Sequence, residues 1–388
     1  MINFDNTEIA FKNKSDKDLK QAYWLFKAVA SPTFVKLGKV ATNFAIKTKL
    51  PVKPLIKKTI FKQFCGGEFI NECNKTTQSL YDFGIGTILD YSIEGKTSDE
   101  DFEATVNEII ATIEKGKSEE AIPFAVFKVT GISRFDILEK ANNGENNLSE
   151  KDKIALAEVR DRIDRICKKA YDADQPIFID AEETWIQDTI DRITHEMMEK
   201  YNKSKAIVFN TLQMYRHDRL VFLENAIQEA KANSYFYGVK LVRGAYMEKE
   251  RERANQKKYP SPIQPNKAAT DKDFNSALAL IIKNIDVVSL CAGTHNEDSS
   301  MLLTQLMKES NVDLKDKHIY FAQLLGMSDH ISYNLSNAGY NVAKYVPYGP
   351  VNEVLPYLIR RAEENTSVAG QTSRELSLIT KELNRRKK

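Results

Sequence analysis

Two adjacent arginines near the C-terminus, Arg360 and Arg361, are the most specific candidate binding feature of this 388-residue sequence. Two guanidinium groups side by side repel each other unless an anion lies between them, and the forked donors of arginine suit a small planar carboxylate. The arginines follow the run YVPYGP at 345–350, where a strand-like stretch ends in a turn. We therefore expect this part of the chain to bind a carboxylic acid.

Polar residues also end most of the strand-like runs that precede the arginines. Taken singly, each is explained by helix capping, by a turn or by pairing with a neighbour. Their recurrence at the ends of successive strands predicts a shared charged site instead, because an isolated buried charge is expensive. Glu364 lies one helical turn after Arg360 and is predicted to pair with it, which assigns Arg361 to the ligand. The residues at these ends are Asp90, Lys128, Asp180, Glu182, Gln213, Lys240, Arg243, Thr294, His295, Gln323 and Tyr345.

Short apolar or β-branched runs alternate with helix-like sequence from about residue 84 onward. Such alternation implies parallel strands joined by crossovers, and eight units predict an α/β fold of the (β/α)8 TIM-like barrel type. A doubly wound sheet is the alternative, but it usually carries a glycine-rich loop after its first strand. The nearest pattern here, Gly84-Ile85-Gly86, comes before the body of that strand and lacks the third glycine. The predicted strands are 86–92, 124–129, 177–180, 207–212, 239–242, 287–291, 319–323 and 342–346.

Three regions are predicted along the chain. An N-terminal helical region spans 1–83, the barrel spans 84–370, and a basic amphipathic tail spans 371–388. Within the barrel, 98–118 is predicted to be an acidic helix, and 136–170 a polar loop followed by a helix that starts near Ser149.

Composition excludes several classes of protein. Apolar residues make up 42 % of the chain and the net charge is +2, which is ordinary for a globular protein and gives no sign of nucleic-acid binding. No apolar run is long enough for a spanning helix, and no secretory signal is visible. The histidines are far apart, so no metal site is predicted, and the scattered cysteines are interpreted as reduced thiols: Cys65, Cys73, Cys167 and Cys291.

Six segments together resemble the proline dehydrogenase family. The resemblance covers about residues 84–367 and is closest to the monofunctional, eukaryote-like branch, because the chain ends at Lys388 without the aldehyde dehydrogenase module of the bifunctional members. The segments are FKVTG (127–131), IDAEETW (179–185), KLVRGAYMEKER (240–251), THN (294–296), QLLGM (323–327) and YVPYGPVNEVLPYLIRRAEEN (345–365).

This resemblance implies an FAD-dependent enzyme that oxidises L-proline to Δ1-pyrroline-5-carboxylate, the first step of proline catabolism. A hydride would pass from C5 of proline to the flavin at the mouth of the barrel, and the electrons would pass on to a membrane quinone. A cytoplasmic location is expected, with a peripheral position on the inner face of the cytoplasmic membrane as a further hypothesis.

The resemblance also implies roles for individual residues. Asp180 and Lys240 would be catalytic, with Lys240 stabilising reduced flavin and Asp180 ordering the cluster. The substrate would be bound by Lys128, Leu241, Tyr246, Tyr345, Arg360 and Arg361. FAD would be bound by Gln213, Lys240, Val242, Gly244, Thr294, His295 and Glu364.

Two alternatives to proline oxidation stay open. Relatives that act on hydroxyproline tend to carry a smaller residue in place of Tyr345, so a hydroxyproline dehydrogenase on the same scaffold is the nearest one. A barrel that binds an amino acid without turning it over is the other. An apoprotein that takes up no FAD would favour the second.

Two basic segments give a further hypothesis of peripheral membrane contact. The segment 36–62 contains eight lysines and no acid, and the tail places Leu376, Ile379 and Leu383 on one helical face. The alternative is that both segments are ordinary helical faces packed on the barrel.

Overall fold

Eight parallel strands form a closed barrel in the order β1 to β8. The computed structural model describes residues 2–31, 33, 53–93, 97–367 and 371–387. The predicted (β/α)8 fold is confirmed, and every strand lies within two residues of its predicted ends. The strands are β1 Ile85–Tyr91, β2 Phe124–Lys128, β3 Ile177–Asp180, β4 Val208–Gln213, β5 Tyr237–Val242, β6 Val288–Gly293, β7 Ile319–Leu324 and β8 Val342–Tyr348.

Helices precede β1 and follow the strands, as the alternating pattern requires. The helical N-terminal region is confirmed for its described residues. The α-helices are Thr7–Ala10, Asp16–Val29, Lys53–Ile56, Lys62–Phe64, Asn74–Tyr81, Asp99–Ser118, Phe135–Asn142, Glu150–Asp172, Thr184–Tyr201, Arg219–Ala232, Met247–Lys257, Lys267–Lys283, Glu297–Glu309, Asp329–Asn337, Val351–Ser367 and Gln371–Arg385. A π-helical turn spans Lys57–Phe61, and 3-10 turns span Ile70–Cys73, Val129–Gly131 and Glu145–Asn147.

Serine caps start two of the predicted helices. The hydroxyl of Ser98 accepts a hydrogen bond from the amide of Asp101 (3.2 Å), and Ser149 does the same for Asp152 (3.2 Å). Both satisfy an amide that the first helical turn leaves without an intrahelical partner. The interpretation of the stretch from residue 136 as a loop is wrong, because the helix Phe135–Asn142 occupies its beginning.

The chain forms two compact units. The larger unit comprises residues 95–322, and the smaller unit comprises residues 1–94 together with 323–388. The predicted division into regions at residues 83 and 370 stays a prediction.

Aromatic rings fill part of the barrel interior within the larger unit. Phe124 stacks on Phe178 with 4.4 Å between ring centroids, and the ring of Phe209 meets both edge-on. Tyr320 contributes a further edge-on contact to Phe124, at 4.8 Å. These residues lie near the amino ends of their strands, so they form an apolar layer of the kind that closes such barrels.

A buried ionic network lies within the smaller unit. Lys344 of β8 is fully buried, and its ammonium lies 2.9 Å from Asp329 and donates to the carbonyl of Met327 (2.5 Å). Burial alone would raise the pKa of Asp329, but Lys14 and Lys344 bring it down to about 2. The carboxylate of Glu375 accepts from the amide of Ser328 (2.5 Å), and burial raises the pKa of Glu375. The network thus joins the C-terminal helix to the turn after β7.

The apolar face of the C-terminal helix Gln371–Arg385 is packed inside the smaller unit. Leu378 and Ile379 are buried in its core, and Leu376 and Leu383 pack against the same core. The hypothesis that this face contacts a membrane is therefore wrong, since its leucines and isoleucine already pack on protein.

All four cysteines lie in the described part of the chain, where they are buried and form no disulfide. Burial raises the pKa of the Cys65 and Cys167 thiols, and it raises the pKa of Cys291 to about 12. The interpretation of the cysteines as thiols without disulfides agrees with the structure.

Candidate active site

Two lysines share one carboxylate at the carboxyl ends of strands in the larger unit. Lys128 and Asp180 are register partners at the ends of β2 and β3. The ammonium of Lys128 lies 3.3 Å from one oxygen of Asp180, and the ammonium of Lys240 on β5 donates to the other. Alternate strands of a (β/α)8 barrel contribute to the same interior layer, so β3 and β5 can bring Asp180 and Lys240 together. The structure therefore assembles three residues that the sequence singled out separately.

This cluster is shielded from water to different degrees. Asp180 is 8 % exposed and Lys240 is 5 % exposed, whereas the side chain of Lys128 is 23 % exposed. The ammonium of Lys240 also lies 5.1 Å from the ring centroid of Phe178, in the apolar layer. Two ammonium groups against one carboxylate give the cluster a net positive charge. A charge held in such a dry site stabilises negative charge that develops nearby more strongly than it would in water.

Glu182, two residues after Asp180, is a buried carboxyl group. The amide and the hydroxyl of Thr130 both donate to its carboxylate, the amide at 3.0 Å. Burial raises the pKa of Glu182 to about 7, against the lowering effect of the Thr130 hydrogen bonds and of Lys128. The sequence placed Glu182 in the predicted charged site without assigning it an individual role.

Gln213 is hydrogen-bonded to the loop after β3, which contains Glu182. Its amide nitrogen donates to the carbonyl of Glu182 (2.7 Å), and its side-chain oxygen accepts from the amide of Ala245 (3.4 Å). Gln213 and Val242 are register partners at the ends of β4 and β5. Residues predicted for flavin binding are thus neighbours in the sheet and are tied to the loop that follows β3.

Gly244 lies where the backbone must turn tightly after β5. Its φ is +126°, and an added Cβ would lie 2.6 Å from ring atoms of Tyr215. Only glycine fits such a position without strain. The residue is exposed on its other side, so the main chain here can be approached closely by a flat group such as a flavin.

Thr294 and Arg243 interact with each other directly. Arg243 donates to the hydroxyl of Thr294 (2.6 Å), to that of Ser299 (2.9 Å) and to Asp271 (2.7 Å). Its guanidinium also lies 4.4 Å from the ring centroid of Phe274. His295 follows Thr294 and is half-buried. The flavin contacts predicted for Thr294 and His295 stay predictions.

Two further residues predicted to bind the substrate belong to the larger unit: Leu241 is fully buried on β5, and Tyr246 precedes the helix Met247–Lys257. The remaining three, Tyr345, Arg360 and Arg361, belong to the smaller unit. Tyr345 of β8 is 9 % exposed. The guanidinium of Arg361 lies 5.0 Å from the ring centroid of Tyr357 on the same helix, Val351–Ser367.

Arg361 is 8 % exposed and Arg360 is half-buried. The predicted pairing of Arg360 with Glu364, and the flavin contact predicted for Glu364, lie outside the described side chains.

A parallel (β/α)8 barrel with charged groups at the carboxyl ends of its strands is the architecture of a TIM-barrel enzyme. A family model described as proline dehydrogenase matches residues 73–374. The chain therefore belongs to the proline dehydrogenase family, and the predicted resemblance is confirmed.

Individual relatives agree with this family. The chain is 35 % identical over 379 residues to proline dehydrogenase 1, mitochondrial, of Dictyostelium discoideum, covering 87 % of this chain and 66 % of the relative. It is 44 % identical over 235 residues to proline dehydrogenase 1, mitochondrial, of Drosophila melanogaster, covering 58 % of this chain and 34 % of the relative. It is also 30 % identical over 414 residues to hydroxyproline dehydrogenase of Xenopus laevis, covering 97 % of this chain and 88 % of the relative. The match thus spans between a third and two thirds of the length of the two mitochondrial relatives.

A solved structure supports the fold. The chain superposes on proline utilization A from Bdellovibrio bacteriovorus with a TM-score of 0.73 at 19 % identity, over 93 % of this chain and 38 % of that chain.

The predicted cytoplasmic location is wrong by these comparisons. The names of the Dictyostelium and Drosophila relatives place those proteins in mitochondria, which points away from the cytoplasm. The sequence argument rested on the absence of a visible leader, which is a weak basis for assigning a compartment.

Proposed function

We propose that this protein oxidises L-proline to Δ1-pyrroline-5-carboxylate with FAD as its cofactor. The observation that carries the proposal is the cluster of Lys128, Asp180 and Lys240, a dry cationic group at the strand ends of a barrel of this family. FAD, when bound, supplies the acceptor for the hydride that leaves C5 of proline. Lys240 would stabilise the negative charge that this acceptor gains, and Asp180 would hold the ammonium of Lys240 in place.

The substrate amine must reach the reaction without its extra proton, because the lone pair of the nitrogen drives hydride departure. The net positive charge of Lys128, Asp180 and Lys240 disfavours a further ammonium beside it, and so lowers the pKa of a bound amine. Solvent would then take the proton. In this proposal Arg360 and Arg361 bind the carboxylate of proline, while Leu241, Tyr246 and Tyr345 contact its ring.

Colour tests this proposal directly. The purified protein, reconstituted with FAD, is expected to be yellow and to bleach when L-proline is added without oxygen. A chain that takes up no FAD, or whose bound FAD keeps its colour with proline, would instead be an amino-acid-binding barrel without turnover. Bleaching by hydroxyproline and not by proline would select the activity named for the Xenopus relative.

Tyr345 is the residue on which the choice between proline and hydroxyproline is predicted to depend. Its ring would occupy the space that a ring hydroxyl needs. Replacing Tyr345 by serine is expected to raise the ratio of kcat/KM for hydroxyproline to that for proline by about tenfold, as small changes in pocket volume typically do. Steady-state kinetics with both substrates measure this ratio, and the exposed Tyr259 replaced by serine is the control. An unchanged ratio would refute the assigned role.

We propose a membrane quinone as the electron acceptor, which requires contact with a bilayer surface. No helix among the described residues is long and apolar enough to cross a membrane. The basic segment 36–62 remains the candidate surface, although residues 36–52 lie outside the described part of the chain. In its described part, Lys53, Lys57 and Lys58 line a surface cavity of about 290 Å³ together with Pro54, Glu68 and Val351. Exposed lysines add attraction to an anionic surface, about 1 kcal/mol for each.

A further inference from the structure

Glu250 caps a helix other than its own. It lies in the helix Met247–Lys257 and is fully buried. Its carboxylate accepts hydrogen bonds from both the amide and the hydroxyl of Thr184, each at 2.7 Å. Thr184 is the first residue of the helix Thr184–Tyr201, and Glu183 in the capping position makes no side-chain capping bond. Glu250 therefore supplies, from a distant part of the chain, the cap that the local sequence lacks.

Two neighbouring residues reinforce this connection. The ammonium of Lys249 contacts the carboxylate of the buried Glu183. The guanidinium of Arg253, one turn further, lies 4.3 Å from the ring centroid of Trp185. One face of the helix Met247–Lys257 is thus fastened to the loop that follows β3, and Glu250 is the part of this contact that water does not reach.

The main chain of Glu250 lies close to the segment that follows β5. Its main-chain amide donates to the carbonyl of Tyr246 (2.9 Å), which is the first hydrogen bond of the helix and would form with any residue but proline at this position. The Glu250 side chain therefore acts on Tyr246 through the helix that it anchors at Thr184. Two residues before Tyr246, Gly244 has a φ of +126° and lies so close to the ring of Tyr215 that an added Cβ would be 2.6 Å from ring atoms. The backbone at 244–246 is therefore held between the end of β5 and the capping contact of Glu250.

We propose that Glu250 is a positioning residue, which sets Tyr246 relative to Asp180 at the end of β3 and to Glu182 in the loop after it. Burial raises the pKa of Glu250, in accord with a carboxyl group enclosed by this contact. The inference rests on the proposed function for the role of Tyr246 at the substrate. The connection itself rests on the hydrogen bonds of the Glu250 carboxylate to Thr184, and on the position of Tyr246 directly before the helix that this contact anchors.

Three variants separate positioning from overall stability. Glu250→Ala removes both acceptors and is expected to raise KM for proline about tenfold with little change in kcat, because a misplaced contact residue weakens binding. Glu250→Gln keeps an acceptor for the Thr184 amide and offers a donor to its hydroxyl, so KM should stay within about twofold of wild type. Glu248→Ala removes an exposed acid from the same helix and is the matched control. If Glu250→Ala is poorly folded, Thr184→Val removes one of the two bonds and should shift KM in the same direction.

Amide hydrogen exchange provides a readout that needs no turnover. In Glu250→Ala, the amides of residues 243–247 and of Thr184 are expected to exchange at least about tenfold faster than in wild type, while those of β5 are unchanged. Glu250→Gln should restore the slow exchange. Unchanged exchange and unchanged KM in Glu250→Ala would overturn the proposal. So would a Glu250→Gln variant as impaired as Glu250→Ala, or a lower melting temperature as the sole effect.

The two hypotheses fail in different ways. If the wild-type protein does not oxidise proline, the proposed function fails, yet the exchange of residues 243–247 still decides whether Glu250 holds this segment. If wild type oxidises proline and Glu250→Ala changes neither KM nor exchange, the positioning role alone fails.

Discussion

Replacing Asp180 by alanine is expected to lower kcat/KM for proline by about 10²–10³-fold, the usual loss when a preorganised electrostatic group is removed from a catalytic site. Asp180 holds the ammonium groups of Lys128, the last residue of β2, and of Lys240, which lies within β5. Without it, the two cations repel each other and Lys240 moves away from the place where negative charge develops. Stopped-flow reduction of bound flavin and steady-state kinetics measure this loss.

The same substitution is expected to lower stability by about 3 kcal/mol or more, because removing one partner of a buried ion pair leaves the other charge in a dry site. The double variant Asp180→Ala with Lys240→Met should regain most of that stability without regaining activity. The exposed pair of Lys168 and Asp172, 2.6 Å apart, provides the control, since Asp172→Ala should change stability by less than about 1 kcal/mol. If Asp180→Ala keeps kcat/KM within about threefold of wild type, the cluster does not have the role proposed for it.

Arg361→Ala is expected to raise KM for proline by about 10- to 100-fold, in line with the loss of a charge-assisted hydrogen bond to a carboxylate. Arg361 is 8 % exposed and its guanidinium lies against the ring of Tyr357, so its fork is held in one orientation. Arg360 is only half-buried, and the predicted pairing with Glu364 would occupy it. Arg360→Ala should therefore have the smaller effect on KM.

Arg361→Lys separates charge from geometry. It keeps the positive charge but loses the planar fork, so its KM should lie between those of wild type and Arg361→Ala. The flavin content of each variant, measured from the ratio of visible to ultraviolet absorbance, should stay near that of wild type. An Arg361→Ala protein that loses FAD while the remaining holoenzyme has a normal KM would contradict a carboxylate role.

Most of the barrel could be predicted from the sequence because each strand is a short apolar run between helical segments. Ser98 and Ser149 even marked two helix starts correctly. Several strand ends differ from their predicted positions by one or two residues. The fourth strand, for example, was predicted over 207–212 and spans Val208–Gln213.

The pairings of charged residues could not be predicted from the sequence. Lys344 interrupts the apolar run of β8 and gives no sign that Asp329 lies beside it, because that contact depends on the three-dimensional path of the chain. Glu250 likewise looks like one more acid in the charged run MEKERER, yet it is fully buried. Polarity along a sequence indicates which side chains need partners, and only the fold supplies the partners.

The four buried thiols have a consequence for spectroscopy. Only a thiolate reacts rapidly with maleimide or methanethiosulfonate probes, and burial suppresses both ionisation and access at Cys65, Cys167 and Cys291. A single cysteine introduced on the exposed side of the helix Met247–Lys257 would therefore carry a spin label or fluorophore against a silent background. Movements of that helix when ligands bind could then be followed as changes in the mobility or emission of the label, in a protein whose native cysteines need no replacement.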